Sequence, residues 1–338
     1  MSPHEILIAI MAAFAVLGAL DRIFGNRVGL GPEFENGILS LGSLALSMVG
    51  IISLAPVLAG LLRPVVVPVY RVLGADPAMF AGTILANDMG GAPLAKELAG
   101  SPEAAKLGGL LVGAMLGATG VFTIPVGVLV GGLVAGFPIL MVLRNLIPIV
   151  LIALLIALGL WKWEGGMIRG FAVFGKIIVA IITIGLAAAL VESLTGLVLI
   201  PGMAPISEGL SIVGDIALVL AGAFPLVWAI TKVFRKPLMK LGSLLGMNDT
   251  AAAGLIASLA NSIAMFGMVK DMDQRGKVIN VAFAVSAAFV FGDHLGFTAG
   301  FDPEMLVPVI LGKLVGGVTA IFVAMAITGG KHHDKSRA

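Results

Sequence analysis

"LANDMGGAPLAKE" occupies residues 85–97, and the chain on either side of it is apolar enough to lie in lipid. A helix inside a bilayer satisfies its backbone N–H and C=O groups internally, because hydrocarbon offers no substitute partners. Gly90, Gly91 and Pro93 interrupt such a helix, and Asn87 and Asp88 put polar groups at the interruption. The stretch therefore reads as a membrane element that is broken where protein or a wet cavity can satisfy the freed backbone.

The rest of the chain supplies the membrane context. Of 338 residues, 59% are hydrophobic and only 12% are charged, whereas a soluble domain carries about 25%. Apolar segments fall near 5–24, 38–62, 77–100, 104–136, 138–160, 167–191, 209–231, 249–270, 276–300 and 303–328. They predict an all-α polytopic membrane protein with about 10 membrane elements, most near the length that a hydrocarbon core of about 30 Å requires, with 104–136 longer than one span. Barrel strands would instead alternate over about ten residues. Residues 63–74 and 235–246 are basic and apolar by turns and read as interfacial or connecting segments. The first apolar run lacks a basic flank and reads as a first span, not a cleavable signal. The small-residue spacings of Gly109, Gly113 and Gly117, and of Gly312 and Gly316, suit close helix packing.

Several function classes are disfavoured. A net charge of +2 without a basic-aromatic patch argues against nucleic acid, and the absence of cysteine removes thiolate metal sites and thiol chemistry. "GFAVFGK" (170–176) spells part of a phosphate-binding loop but lacks the following Ser or Thr and lies in an apolar helix. No HExxH and no hydrolase set is present, so no enzyme, cofactor or metal is expected.

The second half repeats the first. Asp21 and Gly25 match Glu192 and Gly196 at an offset of 171, and Gly37, Gly42 and Gly50 match Gly209, Gly214 and Gly222 at 172. Pro64 matches Pro237 at 173, and "LAND" (85–88) matches "LANS" (259–262) at 174. The expected organisation is a first membrane repeat over 1–160, a second over 161–330 and a polar tail over 331–338. Each repeat carries one broken or re-entrant helix in the same place, 81–98 and 253–272, which is the sequence pointer to a transport site. If both broken elements are re-entrant, almost all loop Lys and Arg residues share one face, with Arg22 and Arg27 on the other. The positive-inside rule favours that arrangement, which makes the repeats parallel. Full crossings split the basic residues almost evenly and make the repeats inverted.

The candidate substrate site gathers Asn87, Asp88, Gly90, Gly91, Asn261, Ser262, Phe266, Asp293 and His294. A carboxylate beside a helix break can hold a cationic substrate by a charge-assisted hydrogen bond, and Asp88 is the first choice; its structural alternative is a helix N-cap. Asn87 and Asn261 hold equivalent repeat positions, and carboxamides both donate and accept. In "FGDHLGF" (291–297), late in its segment, Asp293 and His294 can bind a cation or carry a proton. Met265 and Phe266 are candidates for an apolar wall. Arg144 and Lys313 read as structural, either salt-bridge partners or snorkelling ends.

"LDRI" (20–23), "FENG" (34–37), "NDMGGAPLAKELAG" (87–100), "RGKVINVAFAVSAA" (275–288), "FGDHLGF" (291–297) and "GKLVGGVTA" (312–320) resemble the ethanolamine-utilisation membrane permeases. The resemblance implies a multi-pass protein of the bacterial inner membrane that takes up ethanolamine as a secondary carrier or facilitator. The alternative is a channel or carrier for another small polar or cationic metabolite. The implied partners are the amine, the bilayer and a coupling ion, H+ or Na+; a homo-oligomer is left open. The chain departs from the family in being shorter between residues 124 and 137, and in having Asn87 where family members carry cysteine.

Overall fold

The computed structural model describes residues 1–115 and 123–329. The polar tail therefore lies outside the described residues, as does part of the 104–136 segment. Every described element is helical. Among the described residues, five helices are long and apolar enough to cross a membrane: Pro3–Ile23, Leu30–Val72, Ile139–Thr195, Ile206–Val233 and Pro303–Ile327.

Helix α1 (Pro3–Ile23) opens on a capping box in which Ser2 and Glu5 exchange hydrogen bonds with each other's backbone. Asp21, near its end, accepts from the N–H groups of Val28, Gly29, Leu30 and Gly31 and so fixes the turn into α2. Helix α2 (Leu30–Val72) is 43 residues long and contains Pro56, Pro64 and Pro68. It runs straight through 63–72, which the alternating pattern had marked as a connecting segment. Its later counterpart α8 (Ile206–Leu244) likewise absorbs most of 235–246. The basic residues Arg63 and Arg71 thus lie on the continuation of a long helix and not in a separate segment.

Between these come the short pieces of the first broken element, α3 (Ala78–Ile84) and α4 (Ala92–Leu98), then α5 (Pro102–Lys106) with a wider π-type turn over Leu107–Val112, and α6 (Thr123–Val134). Helix α7 (Ile139–Thr195) joins two segments that the sequence separates. Its 57 residues would reach about 85 Å if straight, far beyond a hydrocarbon core of about 30 Å. It bends at Trp163, whose φ of −148° and ψ of 52° are not helical. The bend is sharp: a Cβ on Gly159 would come within 2.9 Å of the Met167 sulfur. Trp161 and Trp163 are exposed there beside Lys162 and Glu164, the mixture that suits a headgroup layer.

After α8, the second broken element comprises α9 (Asp249–Ala260) and α10 (Ser262–Met268). The apolar segment 276–300 is not one helix. It divides into α11 (Gln274–Ala287) and α12 (Asp293–Phe301), and α13 (Leu306–Gly329) completes the described chain. "FGDHLGF" thus begins a helix, where the sequence had placed it late in one.

Glycines set the long-helix packing. A Cβ on Gly37 would overlap the backbone of Leu220 and Ala221, and one on Gly209 would lie 3.1 Å from the Val49 Cα. Helices α2 and α8 therefore run antiparallel. The contacts recur at the sequence offset. A Cβ on Gly50 would overlap the Ile182 carbonyl, and one on Gly222 the Met11 carbonyl. A Cβ on Gly82 would overlap the Gly108 carbonyl, and one on Gly254 would lie 2.5 Å from the Asn280 Oδ1. Gly74 and Gly246 both take left-handed φ, 69° and 72°. One asymmetry stands out: α2 lies along α4 and the turn before it, whereas α8 lies along α9.

Replacing Gly50 or Gly222 with alanine forces a methyl into a carbonyl on a neighbouring helix. Each substitution should cost about 1–3 kcal/mol and lower the melting temperature of the detergent-solubilised protein. Gly42→Ala, with nothing within 4 Å of the added carbon, should leave the melting temperature unchanged or raise it. Equal melting temperatures for all three variants would contradict this packing.

Candidate functional site

The site forms where the first broken element meets α12. Helix α3 stops because Leu85 and Ala86 are extended, with φ/ψ of −126°/142° and −64°/154°. The chain then turns tightly through Asn87–Gly91. Gly91 and Met89 both donate to the Ala86 carbonyl, at 2.9 and 3.1 Å, so the freed backbone is satisfied locally. Gly90 has φ +96°, which L side chains rarely adopt, and a Cβ there would overlap Ile51 of α2. A Cβ on Gly91 would sit 2.6 Å from the Ala86 carbonyl oxygen. Both glycines, expected to bind substrate, thus shape the turn, and Pro93 restarts α4 within its first turn.

That turn presents Asn87 and Asp88. Asn87 is 0% exposed, and neither its Nδ2 nor its Oδ1 has a hydrogen-bond partner in the protein. Its side chain packs against Gly113, where an added Cβ would lie 3.3 Å away. Asp88 Oδ1 is also buried without a hydrogen-bond partner. It lies 3.8 Å from His294 Nε2, beyond a direct hydrogen bond but close enough for charge on one to be felt by the other. Asp88 caps no helix through this oxygen, so the N-cap alternative is not what occupies it.

His294 comes from the first turn of α12. The segment before it, 288–292, is non-helical, and Phe289 has φ +60°, rare outside glycine. Phe289 and Phe291 donate to the Ser258 and Leu259 carbonyls at 3.0 and 2.9 Å, which satisfies the open end of α9. Phe289 stacks on the His294 ring, with centroids 5.3 Å apart. On the other side of the ring, His294 Nδ1 is 3.0 Å from Lys313 Nζ. Lys313 is 1% exposed and also donates to the Ala114 carbonyl. Asp293 is half-buried and interacts electrostatically with Asp88.

The expected site residues therefore separate. Asn87, Asp88, Asp293 and His294 come together. Asn261 spends its Oδ1 on the Ile263 N–H at 2.7 Å, as the N-cap of α10. Ser262 follows in the first turn of α10, half-buried. Phe266 is 55% exposed and faces outward, while Met265 is buried in a separate apolar cluster with Met272, Ile279 and Phe283. The second break meets the segment before His294 through backbone: a Cβ on Gly292 would overlap the Ala260 carbonyl. Lys313, read from the sequence as structural, is the member that reading missed. Arg144, its offset match, is exposed on α7. The signal available was that Lys313 lies within an apolar span on a glycine-rich face, where a snorkelling lysine would not be central.

Chemically, the cluster offers one free carboxylate oxygen, one free carboxamide and a histidine–lysine pair in a desolvated setting. Such a set suits a small ligand with a positive end and a hydroxyl. Among the described residues, no group of three or more His, Asp or Glu side chains is placed to hold a metal ion. A cleft of about 300 Å³ lies at the far ends of α4 and α12, lined by Lys96, Lys106 and Asp302 among others. Lys106 bridges it to Asp302 and Glu304 at 2.9 and 3.1 Å.

Residues 4–128 and 119–327 match the family described as ethanolamine utilisation protein, EutH. A probable ethanolamine permease EutH from Listeria monocytogenes is 59% identical, over 96% of this chain and 94% of its own length. The uncharacterised protein YxeR of Bacillus subtilis is 49% identical, over 97% of this chain and 96% of its own. A probable ethanolamine permease EutH of Escherichia coli is 46% identical over 97% of this chain and 96% of its own; that alignment runs over 391 residues, so it includes stretches with no counterpart among the 338 here. No solved structure matches. With matches over nearly its whole length, the chain belongs to the EutH family of ethanolamine utilisation proteins.

Proposed function

We propose that this protein is a secondary carrier or facilitator for ethanolamine or a closely similar small primary amine, in the bacterial inner membrane, and that it has no enzymatic activity. The observation that carries this reading is Asp88: a buried carboxylate oxygen without a hydrogen-bond partner, next to Asn87, whose amide atoms are also unpartnered. Groups left in this way cost free energy unless a ligand or water takes them up. An ammonium satisfies the carboxylate by a charge-assisted bond, and a hydroxyl satisfies the carboxamide, which both donates and accepts. Ethanolamine carries those two groups two carbons apart. The names of the Listeria and Escherichia coli relatives support the same substrate.

The carrier reading includes its architecture. We take residues 1–160 and 161–330 as two repeats joined near the bend at Trp163. The antiparallel packing of α2 and α8, which the offset equates, supports an inverted pair and full crossings over the parallel pair that the charge count favoured. The recurrence of the Gly50–Ile182 contact as Gly222–Met11 supports it too. Inverted repeats with broken helices at their interface are the usual build of carriers that open alternately to the two sides. The different packing of α2 on α4 and of α8 on α9 is the asymmetry that such a carrier has when only one side can open.

Asp88→Asn should reduce saturable uptake of labelled ethanolamine into proteoliposomes by at least about tenfold, the equivalent of about 1.4 kcal/mol, with the protein still inserted. Uptake like wild type would remove Asp88 from the site. Asn87→Ala should act on selectivity. If the carboxamide holds the hydroxyl, the preference for ethanolamine over ethylamine in competition assays should shrink by about tenfold or more, since a site built to bond a hydroxyl penalises its absence. An unchanged ratio would show that Asn87 does not read the hydroxyl.

A further inference from the structure

Lys313 takes no part in the proposed contacts to the amine. It is the one lysine buried to 1% exposure among the described residues, and its Nζ touches no carboxylate. It donates to the Ala114 carbonyl and lies 3.0 Å from His294 Nδ1. An imidazole that accepts from Lys313 at Nδ1 carries its own hydrogen on Nε2, and Nε2 is the atom turned to Asp88 at 3.8 Å. One aromatic ring therefore separates the lysine from the carboxylate. The charged and titratable groups that face this point are Asp88 from the Asn87–Gly91 turn, Asp293 and His294 from α12, and Lys313 from α13; the Ala114 side supplies a carbonyl. Asp293 and Asp88 are both half-buried, but Asp88 turns a buried Oδ1 toward the buried His294 and Lys313.

A primary ammonium bound at Asp88 brings a second positive charge to within about a ring's width of Lys313. Like charges repel strongly in a medium of low dielectric, and lysine is the basic side chain that readily gives up its proton when buried. We infer that Lys313 is the exchangeable cation of the site: arrival of the substrate's ammonium at Asp88 drives one proton off Lys313, and departure of the substrate restores it. The balance is simple. The ligand enters as R–NH3+, Lys313 passes from –NH3+ to –NH2, and one proton leaves to water, directly or by way of His294. No other bond forms or breaks. The neutral amine still donates to the Ala114 carbonyl, so the lysine stays in place through the exchange. Lys313 is thus a positioning residue for the charge of the site, and it links the occupancy of Asp88 to proton movement.

The inference rests on Asp88 as the ammonium acceptor, and its test separates the two. Ethanolamine is titrated into the purified protein in weakly buffered detergent solution with a pH indicator. About one proton should be released per ethanolamine bound, and apparent affinity should rise about tenfold per pH unit over the acid interval in which that release is complete, as one linked proton requires. Lys313→Met should bind without proton release, with affinity flat over that interval and at least about tenfold tighter than wild type at the acid end. Lys313→Arg, permanently charged, should bind more weakly than wild type and also release no proton. Binding by wild type without proton release overturns the inference, as does release by Lys313→Met equal to that of wild type. Loss of binding in both variants, with a native elution profile, makes Lys313 a plain ligand or strut and overturns it too. Failure of wild type to bind ethanolamine at any pH is a different result and removes the amine-carrier reading itself.

Discussion

Everything at the centre of this protein depends on the cost of keeping Asp88 out of water. A carboxylate in a low-dielectric interior is expensive by several kcal/mol unless opposite charge and hydrogen bonds compensate it. The protein compensates indirectly. The positive end is Lys313, held by the Ala114 carbonyl, and its influence reaches Asp88 through His294. The direct bonding positions on Asp88 Oδ1 and Asn87 are left open. A structural ion pair would place lysine against aspartate and close them. The interposed ring and the unfilled polar valence are what the proposed ligand site rests on.

That arrangement explains why the surrounding helices are broken where they are. Asp88 faces α12 while Asn87 beside it packs against Gly113, and a continuous helix would rotate successive side chains by about 100° each. The extended Leu85 and Ala86 followed by the turn at Gly90 bring both residues to the same place. The second interruption, at 288–292, performs the matching service for His294. Its N–H groups are spent on the exposed carbonyls of α9, so two broken elements satisfy each other's backbone where lipid cannot. The left-handed Phe289 is held in the same position by stacking on His294.

Much of this was legible in the sequence, for physical reasons that also mark the limits. Composition and run length announce membrane helices, and the run Asn87–Pro93 announces a break, because glycine, proline and a carboxylate are each unfavourable in a lipid-facing helix. The offset of about 172 was readable because the close contacts of Gly37, Gly50, Gly82 and their partners leave no room for a Cβ. The break at 288–292 was not readable. It contains only Gly292 as a helix breaker, and its conformation is fixed by partners on α9 that are distant in sequence. The continuity of α2 past Arg63 was equally hidden, since a helix leaving the membrane and an interfacial segment share the same alternation of basic and apolar residues. Asn261 looked equivalent to Asn87 and is not, because its amide caps its own helix.

The role of Lys313 shows the same limit from the other direction. In sequence it is one basic residue in an apolar run, and a lysine near a helix end reaches water by snorkelling. Whether it does so depends on which way the helix faces, which no local pattern records. Helix α13 packs against α6 with Gly127 and Gly312 in mutual contact, each Cβ position lying 2.6–2.7 Å from the other's carbonyl oxygen. That close approach turns the next residue, Lys313, inward toward Ala114 and His294 and away from any headgroup. Two glycines that hold no chemistry thus decide that a positive charge stays inside the protein. The carboxylate across the imidazole ring is tolerable for the same reason.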